Sequence, residues 1–162
     1  MMCVIRVIST GLVWLWVAGV FLVVDQVSKN WMADNLLPFQ PYEVLPFFNL
    51  TLAYNTGAAF SFLHSASGWQ HVLLGGLAVV VSISILVWLT RISSKERWTS
   101  IALCLILTGA LGNAWDRLQH GYVIDFMDFH LGGWHFAIFN IADCAISIGA
   151  FMLILSWVFQ KK

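Results

Sequence analysis

An aspartate stands where a carboxylate is costly. Everything from Phe136 to Phe159 is apolar or small and uncharged except Asp143, which sits in Phe139-Asn140-Ile141-Ala142-Asp143. A charge in a membrane-crossing stretch costs about 2.5–3.5 kcal/mol by insertion scales, so such a group implies a compensating role. A structural Asp satisfied by hydrogen bonds is the plain alternative. The polar groups able to converge on Asp143 are Asp25, Lys29, Asn55, Asn113, Arg117, Asp125 and Asn140. Asp125 and Asp128 both lie among apolar neighbours in Val123-Ile124-Asp125-Phe126-Met127-Asp128-Phe129. On a helix they share a face and in a strand they oppose, and periodicity does not decide which one turns inward.

Two carboxylates about 3 Å apart cannot both ionise cheaply and share one proton. The ionised member takes a proton from water while the protonated member polarises a carbonyl, which is amide hydrolysis. Other chemistries are poorly served. Ser28 and Lys29 are adjacent, and adjacent helical residues do not face each other. The five histidines form no ligand motif, and His130 and His135, flanking Gly132-Gly133, read as surface residues. The three cysteines, Cys3, Cys104 and Cys144, show neither a disulfide framework nor metal spacing.

The elements that must position these groups are membrane spans. The 162 residues are 60% hydrophobic and 10% charged, against about 25% charged in soluble domains. Mean hydropathy is +0.82. Net charge is zero, so nothing suggests nucleic acid. Four apolar runs approach the roughly 20 residues needed to cross a bilayer. They predict an all-α membrane protein, a single domain over 1–162, with spans at about 7–32, 69–90, 97–116 and 136–159. Val7–Val24 also fits a signal peptide, but it lacks a convincing cleavage site and runs into Asp25-Gln26-Val27-Ser28-Lys29, so it reads as a retained helix. Arg6, the Arg91/Lys95/Arg97 connection and Lys161-Lys162 place both termini in the cytoplasm and segments 34–68 and 116–135 outside. Asp143 then lies near the outer face.

In the first outer segment Pro38, Pro41 and Pro46 mark an irregular stretch. Asn49–Asn55 alternates apolar and polar like a half-buried strand. These features predict a small β-like platform between spans one and two. Phe47, Phe48 and Phe60 are candidate interfacial anchors, with Trp69 and Trp134 in the same belt. Asp116 and Arg117 fall at the outer end of the third span, where both could be solvated. Gly75-Gly76, Gly109 and Gly112 predict close helix approach.

Five blocks together resemble lipoprotein signal peptidase (signal peptidase II), a bacterial four-span aspartyl protease. They are Asp25–Lys29, Asn55-Thr56-Gly57-Ala58-Ala59-Phe60-Ser61, Gly112-Asn113-Ala114-Trp115-Asp116-Arg117, Val123–Phe126 and Phe139–Asp143, in the family's order and across most of the chain. The resemblance implies Asp125, rather than Asp128, as partner of Asp143. It implies that Asn55, Gly57, Asn113, Arg117 and Asn140 line or support the site and that Asp25 and Lys29 back it. The implied substrate is a diacylglyceryl-modified prolipoprotein, cut before its lipidated cysteine at the outer face of the bacterial inner membrane, among membrane lipids. Globomycin-type cyclic peptides would be inhibitors, and the resemblance implies no metal or organic cofactor. The competing readings are a small proton-coupled transporter or channel subunit, which should carry polar groups along its full depth, and a non-catalytic lipoprotein-binding chaperone.

Overall fold

The computed structural model describes residues 9–57 and 69–160. The expectations for Cys3, Arg6, Phe60, Lys161, Lys162 and the Ala58–Ser61 part of the second block lie outside them, as does the side chain of Trp69. Among the described residues, four helices are long and apolar enough to cross a membrane. A 3₁₀ turn, Gly11–Trp14, leads into α1 (Leu15–Asn35); α2 is Trp69–Arg91, α3 is Arg97–His120 and α4 is Ile141–Gln160. Half of the apolar window of α3 is buried, against 17–22% in the others, so α3 is the central helix. The core gathers Val17 and Ala18 of α1, Ile85 and Leu89 of α2, Leu103, Cys104, Leu105 and Leu107 of α3, and Ala145 of α4. Val20, Val23, Val80, Ile83, Phe151 and Ile154 stay exposed, as surfaces that face hydrocarbon do.

In lipid the hydrophobic effect gives helices little reason to associate, so small residues and hydrogen bonds must do it. Gly109 of α3 packs on the Ala142 carbonyl and Ile146, and Gly112 on Asp25 and Ala142. Gly149 of α4 packs in turn on the Ala102 carbonyl and Ile106. For Gly75 and Gly76 no described residue lies within 4 Å of where their Cβ atoms would be, so the expected close approach is not found among the described residues.

The chain ends of the spans depart from the expected bounds for identifiable reasons. The first helix continues to Asn35. The third runs a turn further, to His120, and stops at Gly121 (φ +77°), a left-handed position that glycine tolerates. Asn113, Asp116 and Arg117 are therefore helical. The fourth helix starts at Ile141, not Phe136, because the backbone of Phe139 bonds to Phe126 and Met127. Asn140 caps it: its side-chain oxygen accepts from the Asp143 N–H (3.0 Å), and Asp143 accepts from the Asn140 N–H (3.3 Å). That reciprocal pair is a capping box with Asn and Asp in the two roles.

The platform is a four-stranded antiparallel sheet, β1 (Pro41–Leu45), β2 (Phe48–Asn55), β3 (Val123–Leu131) and β4 (Trp134–His135), in sequential order. It draws on both connections rather than on the first alone. Pro41 opens an edge strand where an irregular stretch was expected; its missing N–H is tolerated there. Phe48 is not a free anchor but packs on Phe129, whereas Phe47 and Trp134 are exposed. As β3 is extended, Asp125 and Asp128 point to opposite faces. Asp128 turns to Thr51 (3.0 Å) and His135 (2.9 Å), which hold its carboxyl below the usual range although burial alone would raise it.

The α3–α4 contact yields a direct test. A Gly109→Ala change places a Cβ against the Ala142 carbonyl and should cost about 1–3 kcal/mol, as overpacking does. Gly75→Ala, made where no described residue lies within 4 Å, should leave the melting temperature in detergent unchanged or slightly raised.

Candidate active site

Asp125 and Asp143 reach the same cavity, of about 740 Å³, from different elements. β3 carries Asp125, and the first turn of α4 carries Asp143. The Phe139 strap on β3 sets the start of α4 beside the middle of that strand. Asp125 is 2% exposed. Its Oδ1 accepts from Asn140 Nδ2 (2.6 Å) and its Oδ2 from Asn55 Nδ2 (3.0 Å). Oδ1 of Asp143 accepts from Asn113 Nδ2 (2.8 Å) and its Oδ2 from the Asn140 backbone.

The three amides cannot turn round. An amide presents NH₂ on one side and oxygen on the other, and each oxygen here meets a group that can only donate. Asn113 Oδ1 accepts from the Lys29 ammonium (3.1 Å) and from Asn140 Nδ2 (3.2 Å). Asn140 Oδ1 accepts from the Asp143 N–H (3.0 Å), and Asn55 Oδ1 from the Gly57 N–H (3.0 Å). All three NH₂ groups are thus aimed at the carboxyls. Neutral amides satisfy the buried oxygens without adding charge. Even so, burial first, and then the charge of Asp143, push the Asp125 carboxyl from 3.8 up to about 7; the bonds from Asn55 and Asn140 pull the other way.

Arg117 lines the cavity but bonds to neither Asp. It donates to the Gly57 carbonyl (2.9 Å) and the Asn113 carbonyl (3.1 Å), holding the end of β2 against α3. Behind Asn113, Lys29 lies between Asp25 and Asp116, 2.9 Å from each. The expectation that Asp116 is solvated is thereby corrected: it is 2% exposed and ion-paired. Gln26 completes the cluster, donating to Asp116 (2.9 Å) and Asp25 (3.1 Å). Asp116 and Gln26 were the residues sequence reasoning missed. The signal for Asp116 was its place three residues after Asn113, which puts both on one helical face. His135, 51% exposed at its side chain, is a surface residue as read, though it pairs with Asp128. Asn49 and Thr51 of β2 are buried. Cys104 and Cys144 are free thiols.

The chain is similar to known proteins. The family model described as Signal peptidase (SPase) II matches residues 17–159. The lipoprotein signal peptidase of Yersinia enterocolitica is 49% identical over 146 residues, 90% of this chain and 86% of the relative. That of Coxiella burnetii is 50% identical over 143 residues, covering 88% and 87%. A solved structure of a bacterial membrane enzyme superposes with a TM-score of 0.82 at 30% identity, covering 91% of this chain and 88% of that one. A second bacterial membrane enzyme gives 0.77 at 30% identity, covering 88% and 90%. With the match spanning all four membrane helices and the five sequence blocks, this chain belongs to the signal peptidase II family.

Proposed function

We propose that this protein removes signal peptides from prolipoproteins as an aspartic endopeptidase, with Asp125 and Asp143 as the catalytic pair. The proteolytic function follows from the family. The aspartic reading is supported by one observation above all: two carboxyls from separate elements meet one cavity, and every amide beside them is locked with its donors towards them. A purely structural Asp143 would need its cap bonds but not a second buried carboxyl opposite.

In the proposed cycle the pair holds one proton, which belongs to both members. The ionised carboxylate takes a proton from a water whose oxygen attacks the scissile carbonyl carbon. The protonated carboxyl donates to the carbonyl oxygen as it gains charge. The tetrahedral species then breaks its C–N bond as a proton passes from the pair to the leaving nitrogen. Arg117 lines the cavity, and its fork of donors suits a substrate carbonyl. Gly57, Asn55, Asn113 and Asn140 position the carboxyls, while Asp25 and Lys29 stand behind them.

The proposed substrate is a diacylglyceryl-modified prolipoprotein, cut before its lipidated cysteine. In support, Leu74, Leu77, Phe136, Ile146 and Ile148 form an apolar side of the cavity between α2 and α4, suited to acyl chains and surrounding lipid. A globomycin-type inhibitor would compete for that space. The transporter reading fits less well, because the described buried charges gather at one end of the helices. We place that end at the periplasmic face of the inner membrane, with both termini and Arg91, Lys95 and Arg97 in the cytoplasm. In a background without the native cysteines, Gln119→Cys should react with an impermeant maleimide from the periplasm and Lys95→Cys should not. The reverse pattern would invert the orientation.

The dyad is tested by Asp143→Asn and Asp125→Asn. Each should still bind a lipidated prolipoprotein while turnover falls at least about a thousandfold, equivalent to about 4 kcal/mol on the barrier. Asp128→Asn, on the other face of β3, should retain most activity. A folded Asp143→Asn protein that cleaves at near-parental rate would exclude the mechanism.

A pH test follows from Asp125. Between its ordinary 3.8 and its folded value of about 7 the native protein keeps a proton that the unfolded chain has lost. Stability therefore falls as pH rises through that window. The Asp125→Asn variant lacks this loss. Its melting temperature relative to the parent should climb from about pH 4 to about pH 7 and then level off. In the parent, kcat/KM should decline above about pH 7 as the shared proton leaves.

A further inference from the structure

Lys29 touches neither Asp125 nor Asp143, yet the carboxylates it joins anchor both. Oδ1 of Asp25 accepts from the Ala142 N–H (2.8 Å), the peptide group one residue before Asp143. Oδ2 of Asp116 accepts from the Ile124 N–H (3.2 Å), one residue before Asp125. The Lys29 ammonium bridges these two carboxylates at 2.9 Å each and spends its third donor on Asn113 Oδ1, which turns the Asn113 NH₂ to Asp143. An ammonium has three donors, and all three are used. The cluster is sealed: Asp25, Lys29 and Asp116 are 0%, 1% and 2% exposed. Substrate in the cavity would meet Asn113, not Lys29, which is absent from the cavity lining.

We infer that Lys29 is a positioning residue for proteolysis: through Asp25 and Asp116 it sets the separation of the two catalytic backbones, and through Asn113 it fixes the donor on Asp143. The inference rests on the aspartic reading above. Lysine suits the position because its ammonium offers three donors in a tetrahedral array to two carboxylates and an amide. An arginine fork is planar and longer, so the conservative charge-preserving change does not restore the geometry.

The test uses the full-length protein in detergent with a lipidated prolipoprotein. Lys29→Met removes the ammonium at nearly equal side-chain length. It should lower kcat about a hundredfold, the scale of a small misplacement of reacting groups, with KM within about threefold of the parent. Lys29→Arg should not rescue it. Taking a cation from beside the pair should also move the acid limb of the pH–rate profile to higher pH, a shift that loosened packing does not produce. In a double-mutant cycle with Asn113→Ala the two losses should be strongly non-additive, because they break the same path. Because Lys29→Met leaves two buried carboxylates without their cation, the paired variant Lys29→Met/Asp116→Asn, which removes one positive and one negative charge, is measured beside it. It should fold, bind substrate and show the same loss of kcat. Near-parental kcat with an unmoved acid limb in a folded variant would overturn the assignment, as would full rescue by Lys29→Arg. If neither variant folds to a substrate-binding protein, Lys29 is a folding residue and the assignment is likewise overturned. An active Asp143→Asn protein would instead overturn the dyad itself, so the two failures are distinguishable.

Discussion

One ammonium buried between two carboxylates constrains much of the rest. Lys29 cannot leave Asp25 and Asp116 without stranding charge away from water. Breaking such a pair by deleting one partner typically costs about 3–5 kcal/mol, although the intact pair gains little over an apolar substitute because both ions are desolvated. Its value is geometric. Asp25 comes from α1 and Asp116 from α3, and between them they bind backbone N–H groups of α4 and β3. Three helices and the sheet are thus tied at one point. An apolar contact could be stronger there, but it would not fix relative position along the helix axes as hydrogen bonds do.

The polar end and the apolar remainder of the bundle use different physics. Across most of their length the helices meet through small residues and close van der Waals packing, as Gly109, Gly112 and Gly149 illustrate. That packing needs no water-driven force, which lipid would not supply. At the sheet end, buried polar groups are tolerated because nearly every donor finds an acceptor. The exception at the cavity is Nε of Arg117, a donor without a partner among the described residues. Gly112 belongs to both regimes: it lets α3 approach α4 and leaves room for the Asp25 carboxylate.

The helix cap and the cavity share residues at the start of α4. Asn140 and Asp143 cap the helix with reciprocal bonds. The Asn140 amide reaches Asp125, and Asp143 faces the same cavity. A cap ordinarily accepts its role on the surface, where water satisfies what the protein does not. Here the cap residue Asn140 is buried, so every atom must serve within the network, and the helix terminus becomes the rigid mount of the Asp143 carboxyl at the cavity.

The sequence alone was sufficient for the membrane class and the four apolar helices, because length and hydropathy are local properties. It also pointed to Asp143, since a lone carboxylate in an apolar run is anomalous wherever the run folds. The family was legible from five short blocks and their order. The bounds were less so: α3 runs on through Asn113–Arg117 and α4 begins late, because hydropathy marks apolar length and not where backbone bonds are diverted to a strand. Tertiary structure decided what depends on pairing across the chain. It placed half the sheet in the second connection, turned Asp125 and Asp128 to opposite faces, and buried Asp116 against Lys29, 87 residues distant in sequence. Residue type tells that Lys29, Asp116 or Gln26 can donate or accept; only the three-dimensional register of α1 against α3 makes them meet, because their hydrogen bonds join segments that are far apart along the chain.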